Sequence, residues 1–157
     1  MNFSTDILTL FDKKWALVTA GDISDFNAMT ISWGGMGTLW NKPVATVYVK
    51  PVRYTHEFME ANDYFTVSFF DEKYRKALSV MGTKSGRDCD KVALAGLTPV
   101  RIGDGIVGYV QAASTLVCRK IYRQDLDTGA MPEAVIERYY EEEAPHTMYI
   151  GEIVGIG

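Results

Sequence analysis

The run YFTVSFF, Tyr64–Phe70, carries the clearest indication of the fold. Apolar residues at positions 65, 67 and 69 alternate with Thr66 and Ser68, and this period of two is typical of a β-strand. We therefore predict a strand with its apolar side on the core and with Thr66 and Ser68 on the outer side. Five further runs share its β-branched and aromatic character, namely Trp15–Gly21, Met29–Trp33, Val44–Lys50, Ser114–Tyr122 and Met148–Ile156.

Three short helices are predicted between these strands, at Thr55–Asn62, Glu72–Met81 and Pro132–Tyr140. The second has apolar residues at positions 74, 77, 78 and 81, which form one stripe on a helix. Glycines predict loops at Gly34–Gly37 and Thr83–Gly86. Because strands dominate and do not alternate with long helices, we predict a mainly β fold. An antiparallel barrel with a few short helices fits better than a doubly wound parallel sheet.

The composition is that of a globular protein, and the length suits a single domain over residues 1–157. Apolar residues make up 47% and charged residues 23%, a mixture that argues against a disordered chain. A net charge of −4 predicts no nucleic-acid partner, because phosphate contacts need clustered cations. No run approaches the roughly 20 apolar residues that span a bilayer. The start, MNFSTDILTLFDKKW, does not resemble a signal peptide, so we expect a cytoplasmic protein without a membrane partner.

Metal and nucleophile chemistry has little support in the sequence. Cys89 and Cys118 lie outside any CxxC pair, and with only two histidines no metal site is predicted. We expect both cysteines to be reduced thiols. His56 and His146 do not suggest a catalytic triad, and the motifs GxxxxGK(S/T), GxGxxG, GxSxG and HExxH are absent. The acidic run Glu141–Glu143 is predicted to be a solvated surface.

Three segments have the residue types of a site for a flat, phosphorylated molecule. In the first, Asp25–Trp33, the side chains of Asn27, Thr30 and Ser32 offer hydrogen bonds, and Ala28 leaves the backbone open to a flat ligand. The alternative for this segment alone is a turn that leads into a strand packing its apolar side chains on the core.

The second and third segments have the character of anion sites. Lys50–His56 lies where a strand ends and a helix begins, a place that favours anions. Arg53 adds a planar fork suited to phosphate, and Thr55 offers a helix cap or a donor. In Gly82–Asp88, two glycines bracket three polar residues, so backbone N–H groups can converge on an anion. The alternatives are an ordinary helix cap with a surface arginine, and an ordinary loop.

Four motifs in order resemble the flavin reductase-like family, with the flavoredoxin-like branch nearest. They are Asn-Ala-Met-Thr at Asn27–Thr30, Lys-Pro-x-Arg-Tyr-Thr at Lys50–Thr55, Ser-Gly-x-Asp at Ser85–Asp88 and His-x-x-Tyr-Ile-Gly-Glu at His146–Glu152. The resemblance extends from about residue 15 to residue 156. It implies a split β-barrel that binds FMN and forms a homodimer with the flavins near the subunit interface.

The resemblance also implies which residues hold FMN. The residues along the ring and ribityl chain would be Asn27, Ala28, Met29, Thr30 and Ser32, those at the ribityl and phosphate end Lys50, Arg53, Tyr54 and Thr55, and those closing over the phosphate Ser85, Gly86 and Arg87. His146 would lie near the redox face of the flavin or near the partner subunit, as a possible modulator. Its alternative role is a hydrogen bond at the start of a strand.

Three positions leave more than one interpretation open. Many family members have a small residue where this chain has Lys50, so the lysine either reaches the phosphate or the flavin carbonyl edge, or points to solvent. Trp33 and Trp40 lie near the flavin segment and either shield the ring, cover a nicotinamide site or belong to the core.

The chemistry implied by the resemblance belongs to the cofactor, so no catalytic protein residue is predicted. The first hypothesis is a reductase that passes a hydride from NAD(P)H to flavin N5, and then electrons to a flavin, a ferric complex or a protein acceptor. The second is a flavoredoxin-like FMN electron carrier that is reduced by a protein partner. The third is a non-redox binding module that keeps the barrel without FMN.

Overall fold

The computed structural model describes residues 5–157, and strands dominate this part of the chain. The strands are β1 Ala16–Asp22, β2 Asp25–Ile31, β3 Gly34–Leu39, β4 Lys42–Val49, β5 Tyr64–Phe69, β6 Pro99–Ile102, β7 Ile106–Tyr109, β8 Ser114–Asp125 and β9 Thr147–Ile156. The helices are α1 Ile7–Asp12, α2 Tyr54–Ala61, α3 Arg75–Thr83, α4 Lys91–Ala95 and α5 Glu133–Tyr139, with 3-10 turns at Glu72–Tyr74 and Thr128–Ala130. The six predicted strands and three predicted helices are all present, with ends that shift by a few residues.

The nine strands of the described residues form one antiparallel sheet. Their order is β3-β4-β9-β8-β5-β1-β7-β6, and β2 also pairs with β1. Each of these pairings is antiparallel. The predicted mainly β, antiparallel class with a few short helices is therefore confirmed.

Two hydrophobic clusters lie on opposite faces of this sheet. The first fills the inside of the barrel and includes Val18, Phe65, Val67 and Tyr149. The second lies between the outer face and the helices α3 and α4, where Leu17 packs with side chains from both helices and from β7. Because β1 and β5 run between the two clusters, both of their faces are buried.

The prediction that Thr66 and Ser68 face outward is wrong, since both are fully buried. The hydroxyl of Thr66 donates to the carbonyl of Val107 at 2.8 Å, and the hydroxyl of Ser68 is 3.0 Å from that of Thr115. Alternation marks two chemically different faces, but a polar face can still be covered when its hydroxyls find partners.

The predicted loop at Gly34–Gly37 is also wrong, because these residues begin strand β3. Backbone pairing with β4 runs from Gly34 opposite Val47 to the end of the hairpin. Trp40 and Asn41 have positive φ angles of 51° and 58°, as the two central residues of a tight hairpin turn require. A Cβ at Gly34 would lie 2.7 Å from a ring carbon of Phe11, so the glycine lets α1 pack against this strand.

Candidate functional site

The three segments predicted to form a site adjoin in space. Asn27, buried on β2, donates through Nδ2 to Oγ1 of Thr55 on α2 at 2.8 Å. A Cβ at Gly86 would lie 2.1 Å from Oδ1 of Asn27 and 3.2 Å from the ring of Tyr54. Only a glycine allows the loop after α3 to approach β2 and α2 this closely. Asn27 is therefore the point where the three segments meet.

The strand β2 also contacts the end of α3. The hydroxyl of Thr30 donates to the carbonyl of Leu78, and a Cβ at Gly82 would lie 3.2 Å from Cβ of Thr30. The hydroxyl proton of Thr30 is therefore engaged in this hydrogen bond, while the hydroxyl oxygen can still accept a hydrogen bond from a ligand. Ala28 and Met29, its neighbours, are buried. Ser32 is half-buried.

Arg53 is the N-cap residue of α2, and it lies half-buried between this helix and the end of α3. Its guanidinium donates to the carbonyl of Gly82 at 3.1 Å. Among residues 5–157 no carboxylate oxygen lies within 4 Å of it. Burial lowers the pKa of Arg53, and the more distant charge of Glu143 opposes this shift. A half-buried cation with one carbonyl partner is a suitable group for an anionic ligand.

Thr55 does not cap the helix. Helix α2 begins at Tyr54, no side chain caps its first turn, and Thr55 lies within it, buried against Asn27. Of the two roles considered for Thr55, the helix cap is therefore wrong, because the hydroxyl connects α2 to β2.

Lys50, at the end of β4, forms an ion pair with Glu143, with 2.6 Å between Nζ and Oε2. Its ammonium also lies 5.8 Å from the centre of the Tyr140 ring. The hydrogen bond from Lys50 lowers the pKa of Glu143. One member of the acidic run is therefore more than a solvated surface, because it connects the segment after α5 to the predicted site.

His146 lies in a small aromatic group beside β2. Its ring centre is 5.2 Å from that of Trp33, and its Nδ1 lies 2.8 Å from the hydroxyl of Tyr140. Burial lowers the pKa of His146 to about 4, and the charge of Lys50 adds to the shift, so the imidazole is neutral at pH 7. A cavity of about 190 Å³ opens here, lined by Met29, Thr30, Ile31, Ser32, Trp33, Tyr48 and His146.

The two tryptophans have different surroundings, and neither belongs to the core. Trp33 is 44% exposed and packs edge-on against Tyr139. Trp40 is 61% exposed at the tip of the β3–β4 hairpin and packs against Tyr122. Only Trp33 lines the cavity beside His146.

Arg87 lies against the start of α2, where its guanidinium donates to the carbonyl of Val52. Its guanidinium forms an ion pair with Glu57 at 2.7 Å and lies 4.7 Å from the centre of the Tyr54 ring. The hydroxyl oxygen of Ser85 accepts a hydrogen bond from the backbone N–H of Arg87. The loop thus places its glycine, rather than its arginine, nearest to β2.

One buried cation was not identified from the sequence. Lys91, the first residue of α4, is only 3% exposed, and its ammonium donates to the carbonyls of Met81 at 3.0 Å and Lys84 at 3.2 Å. Burial, with a contribution from the charge of Arg53, lowers the pKa of Lys91 to about 8. Nothing in the local pattern distinguishes this lysine from a surface one, since its burial depends on how α4 folds back on α3.

The remaining histidine and the two cysteines complete the set of groups that could carry chemistry, and Cys89 lines an open space with Asn27, Tyr54 and Gly86. Nε2 of His56 is 2.9 Å from the hydroxyl of Thr147, which donates to Asp125. Cys89 and Cys118 are free thiols. Across residues 5–157 no three His, Cys, Asp or Glu side chains are grouped as a metal site. No helix in this same part of the chain is long and apolar enough to cross a membrane.

Comparison with solved structures shows the fold. Flavoredoxin of Desulfovibrio vulgaris (Miyazaki F) is 23% identical, with a TM-score of 0.71 over 100% of this chain and 76% of that chain. Flavoredoxin from Methanosarcina acetivorans is 20% identical, with a TM-score of 0.72 over 92% and 67% of the two chains. The NADH:FAD oxidoreductase SgcE6 of Streptomyces globisporus C-1027 is 18% identical, with a TM-score of 0.70 over 92% and 74%.

An FMN-binding domain of a flavin reductases-like enzyme from Shewanella baltica also has this fold, with 19% identity and a TM-score of 0.69 over 96% of this chain and 71% of that chain. The predicted split-barrel architecture is therefore confirmed. Among curated proteins, no significant match was found. The model of the flavin reductase like domain matches residues 8–157, nearly the whole chain. The chain therefore belongs to the flavin reductase-like family.

Proposed function

We propose that this protein is an FMN-binding oxidoreductase, an NAD(P)H-dependent flavin or ferric reductase. The observation that carries the proposal is the half-buried guanidinium of Arg53, which has a single carbonyl partner and no carboxylate within 4 Å in residues 5–157. A charged group removed from water in this way is stabilised by an opposite charge. The phosphate of FMN supplies that charge, and it suits the planar fork of an arginine.

The surroundings of Arg53 fit the rest of the cofactor. The glycine of the loop, the start of α2 and the buried Asn27 meet beside it, and β2 leads from there to the cavity at Ser32 and Trp33. We propose that the flat ring lies along this strand, with its phosphate at Arg53. When bound, FMN would supply the redox chemistry of the reaction.

The protein's own residues would orient the ring and limit access of water. Trp33 and the neutral imidazole of His146 flank the cavity, and Tyr140 fixes the imidazole through Nδ1. If the hydroxyl of Tyr140 is the donor, Nε2 carries the imidazole proton and is free to donate. We propose that His146 modulates the flavin by such a hydrogen bond, and that Lys50 exchanges Glu143 for the cofactor.

A second cavity supports nicotinamide use. It has a volume of about 560 Å³, lies between α1 and β3, and shares Ser32, Trp33 and Tyr48 with the cavity beside His146. A co-substrate bound there would lie next to the proposed ring. We further propose that the chain is a single domain that works in the cytoplasm, and that it forms a homodimer, as the family resemblance implies.

A flavin titration tests the proposal. FMN is added to the purified protein, free flavin is removed, and absorbance is recorded under anaerobic conditions with NADH, then NADPH, then dithionite. Retained flavin that bleaches within seconds with a nicotinamide supports a reductase. Flavin that bleaches only with dithionite would indicate an electron carrier with a protein donor. Flavin that neither binds nor turns over with NAD(P)H would refute the proposal.

A further inference from the structure

The segment that connects β8 to β9, residues 127–145, forms an excursion that contains α5, and we call it the α5 lid. Its base is closed by a backbone hydrogen bond of 3.0 Å from the N–H of Leu126 to the carbonyl of His146. None of its residues is buried, and its backbone hydrogen bonds join only residues of the lid itself. The lid therefore belongs neither to the core nor to the sheet, and side-chain contacts set its position.

The side chains of the α5 lid contact the rest of the protein at one place. Within residues 5–157, all of its hydrogen bonds, ion pairs and aromatic contacts with other segments go to Lys50, Trp33 and His146. Glu143 pairs with Lys50 at 2.6 Å, and the ring of Tyr139 lies 5.3 Å from that of Trp33. Because Trp33 and His146 line the cavity of about 190 Å³, the lid is held directly beside it.

These contacts are too weak to keep the α5 lid permanently in place. Glu143 is exposed, and ion pairs at the surface contribute little and are screened by salt. A helix of seven residues has no stability of its own in water. The lid also carries six carboxylates and one arginine, a larger negative charge than the −4 of the whole chain. It therefore repels an anionic ligand that approaches the cavity while the lid is closed.

We propose that the α5 lid closes the cavity beside His146 in the flavin-free protein, and that Glu143 is its latch, bound to the ammonium of Lys50. An anionic ligand that takes Lys50 releases the carboxylate of Glu143, so the lid opens as the ligand enters. A closed lid slows the entry of any flavin, with or without a phosphate. The identity of the ligand rests on the proposed function, whereas the latch itself does not.

Limited digestion of the flavin-free protein with trypsin tests the latch. Arg138 is exposed in α5, and cleavage after it requires the lid to open, because a protease accepts only an extended segment. Glu143→Gln should be cleaved there about twofold to fivefold faster, the effect of losing a surface ion pair. The matched control is Glu141→Gln, which removes the same charge from a residue without an ion pair in residues 5–157 and should leave the rate unchanged.

Salt provides a second test on the unmodified protein. Because salt screens the pair of Lys50 and Glu143, the cleavage rate after Arg138 should approach that of Glu143→Gln as the salt concentration is raised to about 1 M. Trypsin activity on a small substrate is measured at each salt concentration and used to normalise the rates. The rate for Glu143→Gln should then change little with salt.

Stopped-flow fluorescence tests whether the α5 lid controls entry to the cavity. Association rates are measured for FMN and for riboflavin, which has no phosphate and no charge. Glu143→Gln should raise both rates about twofold to fivefold, because the lid is open more often. If Glu143 acted only through its charge, FMN would associate faster, riboflavin would not, and Glu141→Gln would have the same effect.

The outcomes separate the lid from the proposed function. Equal cleavage after Arg138 in the unmodified protein and in Glu143→Gln would overturn the latch and leave the proposed function intact. Equal acceleration in Glu141→Gln would overturn it as well, since only the charge would matter. Faster cleavage of Glu143→Gln with unchanged association of both flavins would overturn the control of entry. If that variant is cleaved faster but the protein binds neither flavin, the latch stands and the proposed function fails.

Discussion

Lowering the pH should destabilise the flavin-free protein through His146, because folding lowers the pKa of this imidazole. Burial and the charge of Lys50 lower the pKa of His146 from 6.5 to about 4. Between these two values the unfolded chain binds a proton that the folded chain does not, so stability falls as pH falls. The contribution of the neutral His146 imidazole to the free energy of unfolding is fully present above about pH 6.5 and is lost as the pH decreases toward 4.

The magnitude follows from the size of the shift. Lowering the pKa of His146 from 6.5 to about 4 corresponds to about 3.4 kcal/mol of unfolding free energy, at about 1.36 kcal/mol per pKa unit. His146 is only partly buried, and solvent screening reduces this figure, so we expect a loss of about 1–2 kcal/mol between pH 7 and pH 4.

The assay is urea denaturation followed by circular dichroism at several pH values, on the unmodified protein and on His146→Asn. Asparagine cannot titrate in this range, and its Oδ1 can accept from Tyr140 in place of Nδ1. The variant should be less stable at pH 7 but should lose less stability toward pH 4. His56→Asn is the matched control, since it removes the other histidine and should keep the contribution of His146.

Equal pH dependence in the unmodified protein and in His146→Asn would refute this reasoning. An NMR titration of the imidazole gives an independent check, because a midpoint near 6.5 would show that His146 is not held neutral by its surroundings.

Three further predictions concern the point where the segments meet. Arg53→Ala should lose about 1.5–3 kcal/mol of FMN affinity in an equilibrium titration, the range for a charged hydrogen bond, while riboflavin binding stays nearly constant. Gly86→Ala should cost about 1–3 kcal/mol of stability in urea, because its Cβ would overlap Asn27, whereas Gly35→Ala, which meets no atom within 4 Å, should not suffer such an overlap. Asn27→Ala should cost about 1–3 kcal/mol in the same assay, because it leaves the buried hydroxyl of Thr55 without its donor.

Each of these has an outcome that contradicts it. Unchanged FMN affinity in Arg53→Ala would remove Arg53 from the phosphate site. Equal stability of Gly86→Ala and Gly35→Ala would show that the loop is free to move away from β2. An Asn27→Ala variant as stable as the unmodified protein would show that the hydroxyl of Thr55 finds another partner, such as water.

The sequence by itself determined six of the nine strands that the structure describes, the antiparallel class and the three segments that adjoin at the candidate site. The alternation in Tyr64–Phe70 and the β-branched residues of the other runs favour an extended backbone. This preference depends mainly on residues that are neighbours in the sequence, so it can be predicted without the fold. The motifs at Asn27, Arg53 and Gly86 could be recognised by their residue types, because glycines and an arginine at the end of a strand are typical of anion sites.

Only the tertiary structure decided the contacts that give those residues their chemistry. Gly34 lies in a strand because β4 supplies hydrogen-bond partners and α1 needs the space, and no local preference predicts either. Ion pairing of Lys50 with Glu143 joins residues 93 positions apart. The burial of Lys91 depends on the return of α4 onto α3. Local sequence sets which conformations are favourable, but burial, pKa and partners depend on distant segments that meet only in the folded chain.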